Sequence, residues 1–397
     1  MKKIAVIFGT RPEAIKLCPV VLALQKDPAF DCRVCVTGQH KEMLYQVLDV
    51  FGVKPDVDLA LMRPNQTLAG LTARAITALD EYLEREKPDI VMVQGDTTTV
   101  LAGALAAFYH HIPVAHVEAG LRTWNMESPW PEEANRQLTT RLAKWHFCPT
   151  ENNKNNLLRE GVAERDIYVT GNTVIDALHV ARDLVVKNPP LIDGLPNEWF
   201  QSNNRTIEHH SSDFASQSDL RSVDISNNSP RMVLITGHRR ENFGDGFEHI
   251  CSAIKRLAEE FPETHFVYPV HLNPNVREPV NRILGQHCGK NVHLIEPQGY
   301  LEFNYLVEHC RAVVTDSGSI TEETTVMGMP CITLRDNTER PETCTIGTNE
   351  LIGTDPRHIA PALRKLYSGE WKRGAIPPLW DGHAAERIVE EILGVEE

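Results

Sequence analysis

The chain has 397 residues, of which 42% are hydrophobic, and this length and composition are typical of a globular protein with two domains. The formal net charge of −14 at pH 7 argues against a nucleic-acid partner, because binding to phosphates needs a basic surface. The most apolar stretch, residues 100–108, is far shorter than the ~20 residues of a membrane-spanning helix, so we expect no membrane partner. Nine scattered cysteines, an odd number, indicate a reducing compartment and a cytoplasmic protein.

The first half of the chain alternates short apolar runs with longer amphipathic stretches. Helical patterns occur at residues 68–83 and 101–109. The apolar runs end in Gly, Thr or Asp, as buried parallel strands do. They are residues 4–8, 33–36, 90–93, 114–117 and 167–169.

The second half repeats this plan, with strand-like runs at residues 232–235, 266–268, 292–295, 312–314 and 331–334. Strands that alternate with helices predict a parallel sheet covered on both faces. We therefore predict an α/β protein with two Rossmann-like, doubly wound domains that face each other across a cleft. Composition places the N-terminal domain at 1–186, a polar linker or surface excursion at 187–230, the C-terminal domain at 231–378 and a C-terminal helix at 379–397.

Ligands of parallel α/β sheets bind beyond the carboxyl ends of the strands, so the residues that follow strands are the candidates for a site. After the first strand, residues 9–16 open a helix whose N-terminus favours an anion, and Arg11 and Lys16 add positive charge. The alternative is a pair of surface charges on an amphipathic helix. The sequence has no Walker loop and no G-x-G-x-x-G, so no motif supports a P-loop ATPase or a dinucleotide cofactor.

Three acids of the first half are candidates for proton transfer. Asp96 ends a strand, where a helix N-cap is the alternative. Glu118 closes a buried strand, where an acid is costly unless it is paired or functional, and Arg122 could be its structural partner. Glu132 opens a helix behind two prolines, where an acid also complements the helix dipole. If these acids converge, each raises the pKa of the others, which suits acid–base catalysis.

The second half supplies residues suited to binding an anion. His238 and two arginines follow its first strand; histidine titrates near neutral pH and arginine binds phosphate. Residues 317–319 open a helix with small side chains that expose backbone N–H groups to a pyrophosphate, and Glu323 could accept hydrogen bonds from ribose. A capped helix start is the alternative. Arg340, in a polar loop, is a further phosphate candidate.

Eight motifs stand in the same order as in one bacterial family, the non-hydrolysing UDP-N-acetylglucosamine 2-epimerases, which the chain resembles nearly end to end apart from the linker. The motifs are GTRPEAIK (9–16), GDTTT (95–99), HVEAGLR (116–122), PWPEEANR (129–136), GNTVID (171–176), GHRRE (237–241), PVHLNP (269–274) and TERPE (338–342). The resemblance implies a glycosyltransferase-B-like fold, a homodimer and UDP-N-acetylglucosamine as the substrate. In many bacterial members a second UDP-N-acetylglucosamine acts as an allosteric activator.

The resemblance also implies roles for the candidate residues. Asp96, Glu118 and Glu132 form the acid–base set, and we add His238 as a catalytic residue. No cofactor or metal is implied. Ser319 replaces a glycine that is usual in the family, and we place it with the substrate-binding residues. The implied contacts to the uridine nucleotide are Arg11, Lys16, His238, Gln298, Phe303, Ser317, Gly318, Glu323 and Arg340.

The activity that the resemblance implies is reversible inversion of C2, which converts UDP-N-acetylglucosamine into UDP-N-acetylmannosamine through 2-acetamidoglucal. The product would feed surface polysaccharide synthesis. Four alternatives stay open: a hydrolysing epimerase that releases N-acetylmannosamine and UDP, a 2-epimerase for a modified UDP-sugar, a glycosyltransferase on the same fold, and a nucleotide-sugar sensor without catalysis. Besides Ser319, the linker is a departure from the family, because it is longer than the family pattern.

Overall fold

The computed structural model describes residues 1–38, 41–63, 66–201, 231–237, 239, 242–285, 289–367 and 370–394. The chain divides into two compact units. Unit 1 comprises Met1–Val180 and Pro378–Glu397, and unit 2 comprises Ala181–Pro377. The chain therefore leaves unit 1 once and returns to it near its C-terminus.

Unit 1 contains, within the described residues, seven parallel strands in the order β3-β2-β1-β4-β5-β6-β7. The strands are β1 (Lys2–Phe8), β2 (Phe30–Val36), β3 (Val57–Asp58), β4 (Ile90–Gln94), β5 (Val114–Val117), β6 (Trp145–Cys148) and β7 (Ile167–Val169). The first seven helices are α1 (Arg11–Lys26), α2 (Lys41–Phe51), α3 (Leu68–Glu86), α4 (Thr98–Tyr109), α5 (Glu132–Leu142), α6 (Glu151–Arg159) and α7 (Thr173–Lys187), and the unit boundary after Val180 falls within α7.

Unit 2 contains, over the ranges given above, six parallel strands in the order β10-β9-β8-β11-β12-β13. The strands are β8 (Arg231–Thr236), β9 (Thr264–Pro269), β10 (Val292–Ile295), β11 (Ala312–Thr315), β12 (Cys331–Thr333) and β13 (Asn349–Leu351). The helices that follow α7 are α8 (Glu198–Gln201), α9 (Asp245–Glu260), α10 (Pro274–Leu284), α11 (Tyr300–His309), α12 (Gly318–Val326), α13 (Pro341–Thr345) and α14 (Pro356–Tyr367), and α15 (Ala384–Gly394) returns to unit 1.

The predicted fold class, α/β with two doubly wound parallel sheets, is confirmed. Every predicted strand overlaps a strand of the structure, but the sequence patterns missed β3, β6 and β13. These three strands have four residues or fewer and carry polar side chains such as Asp58, His146 and Asn349, so they lack the apolar run that marks a buried strand.

Strands such as β1 and β8 contain uninterrupted runs of apolar residues because both faces of each sheet are covered. In β8, Val233 and Ile235 belong to the core cluster that includes α9 and α14. Met232 and Leu234, which alternate with them, belong to a second cluster that includes α11. In β1, residues 4–8 have no exposed surface at all. Burial on both faces removes the polar alternation that a one-sided sheet would show.

The C-terminal segment is bound to unit 1 through polar contacts as well as apolar packing. The Asp176 carboxylate accepts hydrogen bonds from the backbone N–H groups of Ala384 and Ala385 at the start of α15. Trp380 donates its indole N–H to the carbonyl of Pro149 at 3.2 Å. Gly171 lies directly against this segment, because a Cβ at its position would stand 2.1 Å from the carbonyl oxygen of Leu379.

The predicted linker is described only in part. Residues 187–201 contain α8, where the ring of Trp199 packs 4.4 Å from His265 of β9, measured between ring centroids. Residues 202–230 lie outside the described residues. Across the described ranges, no helix combines the length and the apolar character needed to cross a membrane.

Gly171→Ala should destabilise unit 1 more than Gly161→Ala. Both glycines have a positive φ, +91° and +84°, so alanine costs about 1–2 kcal/mol of conformational strain at either position. Only at Gly171 does the added Cβ meet backbone, whereas Gly161 has nothing within 4 Å. Calorimetric melting of both variants measures the difference, and an equal loss of melting temperature would contradict the close contact with Leu379.

Candidate active site

The sheet of unit 1 brings three strand ends together. Strand β4 lies between β1 and β5, and its last residue, Gln94, pairs with Val117, the last residue of β5. The loops that begin at Gly9, Gly95 and Glu118 therefore start at the same carboxyl edge of the sheet. This is the edge where α/β proteins bind their ligands.

Glu118 is a buried carboxylate held from two sides. Its backbone has a φ of 62°, and the residue is 7% exposed. Lys16 Nζ donates to one carboxylate oxygen, and Gln94 Nε2 donates to the other. Because a buried charge is tolerated only when it is paired and hydrogen-bonded, these two partners explain how the acid can close a buried strand.

Arg122 is not the partner of Glu118, so the structural alternative considered for that acid is wrong. Arg122 Nε lies 2.6 Å from Oε1 of Glu160, and its Nη2 donates to the hydroxyl of Thr140 on α5. The guanidinium is thus used to connect helices of unit 1. Lys16, which the resemblance assigns to the nucleotide, lies beside Glu118 and is 2% exposed.

Asp96 is paired with Arg136, a residue of α5 that the sequence reasoning did not select. The Arg136 Nη2 group donates to the Asp96 carboxylate, and Asn135 Nδ2 donates to the Asp96 carbonyl at 2.8 Å. The N-cap alternative for Asp96 is wrong, because Thr97 occupies that position and its hydroxyl accepts from the N–H of Val100. The Asp96 side chain is 21% exposed and can therefore meet a ligand.

The two adjacent acids at the start of α5 differ in their surroundings. Glu133 is fully buried, and its carboxylate accepts the backbone N–H groups of Thr123 and Trp124 at 3.0 and 3.1 Å. It therefore fixes the preceding loop. Glu132 is the first residue of α5, is partly exposed, and lies about one helical turn before Arg136.

Glu13 is an organising residue that the sequence reasoning missed. Its buried carboxylate accepts from the backbone N–H groups of Gly9 and Thr10 and from the hydroxyl of Thr97. Burial raises the pKa of Glu13 to about 7. A local signal was present, because Thr10 and Glu13 have the T-x-x-E spacing of a helix capping box.

His116 fixes the turn that presents Asp96. Its Nε2–H donates to the carbonyl of Gly95 at 2.8 Å, and Gly95 itself has a φ of +81°. Burial lowers the pKa of His116 to about 4, so the ring is neutral near pH 7. The histidine acts on the backbone conformation of this loop rather than as a cation.

In unit 2, Asp316 anchors the loop after β8. The ends of β8 and β11 are aligned, and Asp316 directly follows β11 with no exposed surface. Its carboxylate accepts from the backbone N–H of Arg239 at 2.9 Å and from Nδ2 of Asn242 at 3.1 Å. His238 belongs to the same loop but lies outside the described residues.

The structure brings Arg340 together with the start of α12. A Cβ on Gly318 would stand 2.5 Å from Nη1 of Arg340, so the guanidinium lies directly against the glycine backbone. Ser317 is the N-cap residue, and Ser319 follows in the first turn. Glu323, on the same helix, is 5% exposed. Only glycine allows the arginine to approach this closely.

The remaining predicted residues lie at the starts of two other helices. Arg11 is the first residue of α1 and is half-buried. Gln298 precedes α11 and donates to the carbonyl of Glu296 at 2.7 Å, and Phe303 on α11 packs against the adjoining core cluster. Among the described side chains, no group of three or more His, Cys, Asp or Glu is placed to hold a metal ion.

These features are typical of α/β enzymes that bind nucleotides, with carboxylates at one sheet edge and, in unit 2, an arginine at a helix start. The family model for UDP-N-acetylglucosamine 2-epimerases matches residues 22–393. A Yersinia pestis UDP-N-acetylglucosamine 2-epimerase is 50% identical over 395 residues, covering 98% of each chain. The chain therefore belongs to the UDP-N-acetylglucosamine 2-epimerase family.

Two solved structures are similar over nearly the whole chain. The UDP-GlcNAc 2-epimerase of Neisseria meningitidis bound to UDP-GlcNAc has a TM-score of 0.86 and 44% identity, covering 99% of this chain and 100% of that chain. Staphylococcus aureus MnaA, in a co-structure with UDP, has a TM-score of 0.82 and 41% identity, covering 99% and 96%.

Glu13→Gln should change how stability depends on pH. The folded-state pKa of about 7 lies above the ordinary value of 4.5, so the folded chain holds a proton that the unfolded chain releases between these values. The associated stability is present below pH 4.5 and is lost as the pH rises towards 7, by about 3 kcal/mol. Glutamine does not titrate, so the variant should gain melting temperature relative to the wild type between pH 5 and pH 8.

Glu84→Gln is the control, because it removes one negative charge from an exposed position of α3. A difference between Glu13→Gln and wild type that stays constant from pH 5 to pH 8 would contradict the role given to burial at Glu13.

Proposed function

We propose that this member of the family catalyses the reversible, non-hydrolysing epimerisation of UDP-N-acetylglucosamine at C2 to give UDP-N-acetylmannosamine. The observation that carries the proposal is the buried Glu118 carboxylate at the end of β5, held by Lys16 and Gln94 in the loop next to Asp96. Two relatives support the ligand: the N. meningitidis structure contains UDP-GlcNAc and the S. aureus structure contains UDP.

The proposed reaction has two steps that balance. A base takes H2, the C2–H electron pair forms the C1–C2 double bond, and the bond from C1 to the UDP oxygen breaks with its electrons on UDP. The intermediate is 2-acetamidoglucal. UDP then adds back to C1 while an acid delivers a proton to the opposite face of C2, which inverts that centre. The protein must supply a base, an acid and groups that stabilise the departing diphosphate.

Unit 1 supplies the proton-transfer groups in this proposal. Asp96, Glu118 and Glu132 are the candidates, together with His238 of unit 2. Asp96 and Glu118 lie in loops at neighbouring strand ends, and each has a separate cationic partner that fixes the direction of its carboxylate. Fixed carboxylates suit a reaction in which two faces of one carbon must be addressed in turn.

Unit 2 binds the nucleotide in this proposal. The start of α12 offers the backbone N–H groups of Gly318 and Ser319 to the diphosphate, and Arg340 lies against Gly318. The N–H of Ser317 donates instead to the hydroxyl of Thr315. Glu323 would accept the ribose hydroxyls, and Gln298 and Phe303 would contact the rest of the nucleotide. Arg11 would add positive charge from unit 1. Lys16 would contact the ligand and would also orient the Glu118 carboxylate.

We also propose a homodimer, with α4 at the interface. Helix α4 carries no charged residue. Its C-terminal end nevertheless lies at the surface, where Phe108 and Tyr109 are 55% and 60% exposed. Leu138 of α5, a helix that packs against α4, is 52% exposed. A helix that is apolar on all sides needs a partner on every face, and a second copy of this chain is the partner that the family resemblance implies.

Activation by a second UDP-N-acetylglucosamine and a role in surface polysaccharide synthesis complete the proposal. Both are supported by the resemblance to the bacterial members of the family.

Incubation with UDP-N-acetylglucosamine in deuterated water, followed by proton NMR, tests the reaction. We expect UDP-N-acetylmannosamine with deuterium at C2, and Glu118→Gln should lose about 100-fold or more in turnover while UDP still binds. Free N-acetylmannosamine would instead indicate the hydrolysing reaction. An unchanged UDP-sugar would be the result for a glycosyltransferase or a sensor. Glu127→Gln, at an exposed position, is the matched control.

Phe108→Asp should convert the dimer into a monomer, because a charge would be buried at the proposed interface. Light scattering after size exclusion measures the mass, and the expected value falls from two chains to one. Leu191→Asp, which alters an equally apolar residue that is 74% exposed in unit 2, should leave the dimer intact. A Phe108→Asp variant that stays dimeric would remove α4 from the interface.

A further inference from the structure

Arg340 is held by two carboxylates that the sequence did not single out. Its Nε lies 2.6 Å from Oε1 of Glu322, and its Nη1 is paired with Oε1 of Glu339. The second oxygen of Glu339 accepts from Nη1 of Arg335 at 3.1 Å. The four side chains alternate in charge, two arginines and two glutamates, and each residue is at most 6% exposed.

The position of Arg340 would be unfavourable for a cation without these carboxylates. The N-terminus of a helix carries a partial positive charge, and Arg340 lies against Gly318, the first residue of α12. Glu322, on the same helix, and Glu339 balance that repulsion. They also accept hydrogen bonds from two different nitrogens of the guanidinium. Two such contacts fix the plane of the guanidinium, whereas a single contact would leave it free to rotate.

We infer that Glu322 and Glu339 are positioning residues that fix the Arg340 guanidinium for the diphosphate of the substrate, an inference that rests on the nucleotide-binding role proposed above for Arg340. A flexible arginine would lose side-chain entropy on binding the ligand. Here that ordering takes place when the chain folds. Ligand binding therefore does not have to offset the entropy lost in ordering Arg340. The guanidinium donors also stay directed at the position where negative charge develops as UDP leaves.

Glu339 adds a second function to the arrangement, because it connects Arg340 to Arg335. Arg335 follows β12, whose last residue, Thr333, pairs with Thr315 at the end of β11. The Glu339–Arg335 contact thus fixes the orientation of Arg340 relative to the rigid sheet, and not only relative to the loop that contains Arg340. Sites supported by strands hold their geometry more closely than sites supported by loops alone.

Glu322→Gln and Glu339→Gln, singly, test the inference in the NMR assay and in UDP titrations by calorimetry. Each should lower kcat by about tenfold or more and weaken UDP binding several-fold, because a displaced guanidinium loses both alignment and contact. Both effects should vanish in the Arg340→Lys background, since lysine has no guanidinium to orient. Glu260→Gln, which breaks an exposed pair with Arg364 in the same unit, should leave both quantities unchanged.

The double variants separate positioning from general structural damage. Losses that add fully to that of Arg340→Lys, or single variants with wild-type kcat and UDP affinity, would overturn the inference. If the wild type binds UDP but does not epimerise UDP-N-acetylglucosamine, the proposed function fails, and the inference is then judged on UDP affinity alone. If Arg340→Lys binds UDP as tightly as wild type, Arg340 is not a diphosphate ligand and the inference fails while the epimerase activity stands.

Discussion

The ion pair between Lys16 and Glu118 is the interaction on which the site of unit 1 depends. Both charges are almost completely removed from water, and such a pair persists only when the remaining hydrogen-bonding capacity is also satisfied. Gln94 meets that requirement at the second carboxylate oxygen. The pair joins α1 to the end of β5 and so fixes two of the loops at the carboxyl edge of the sheet. Glu13 and His116 complete this edge by holding the backbone at Gly9 and Gly95.

Unit 2 follows the same rule with different residues. Four of its buried charges, two arginines and two glutamates, are balanced among themselves close to the helix that is expected to meet the diphosphate. Asp316 uses its charge on a backbone N–H and an amide group instead, and so shapes the loop after β8. Glu13 in unit 1 and Asp316 in unit 2, which hold loop backbone through its N–H groups, are distinct from the residues selected for the ligand.

The sequence predicted the fold well because parallel strands are locally encoded. Apolar runs and their terminating residues located most strands, and the rule that ligands bind at carboxyl edges located the loops. Side-chain pairing was not predictable in this way. Lys16 and Glu118 are 102 positions apart, and Arg122, the nearer cation, pairs with Glu160. Such choices depend on the direction of each side chain in the folded sheet.

The site residues that the sequence did not reveal were missed for a common physical reason. Arg136, Glu322 and Glu339 act on other side chains, so their types carry no signal of a ligand. Glu13 was the exception, because its capping-box spacing is visible in the sequence. The roles of the predicted contact residues stay predictions, and His238 lies outside the described residues.

The attachment of α15 to unit 1 affects the order in which the two units can fold. Unit 1 needs residues from both ends of the chain, since α15 packs against α1 and its first turn is bound by Asp176. Unit 2 is formed by one continuous stretch, 181–377. Unit 2 can therefore fold from one continuous stretch, whereas unit 1, although translated first, exposes the apolar surface that α15 covers until residues 384–394 have been made.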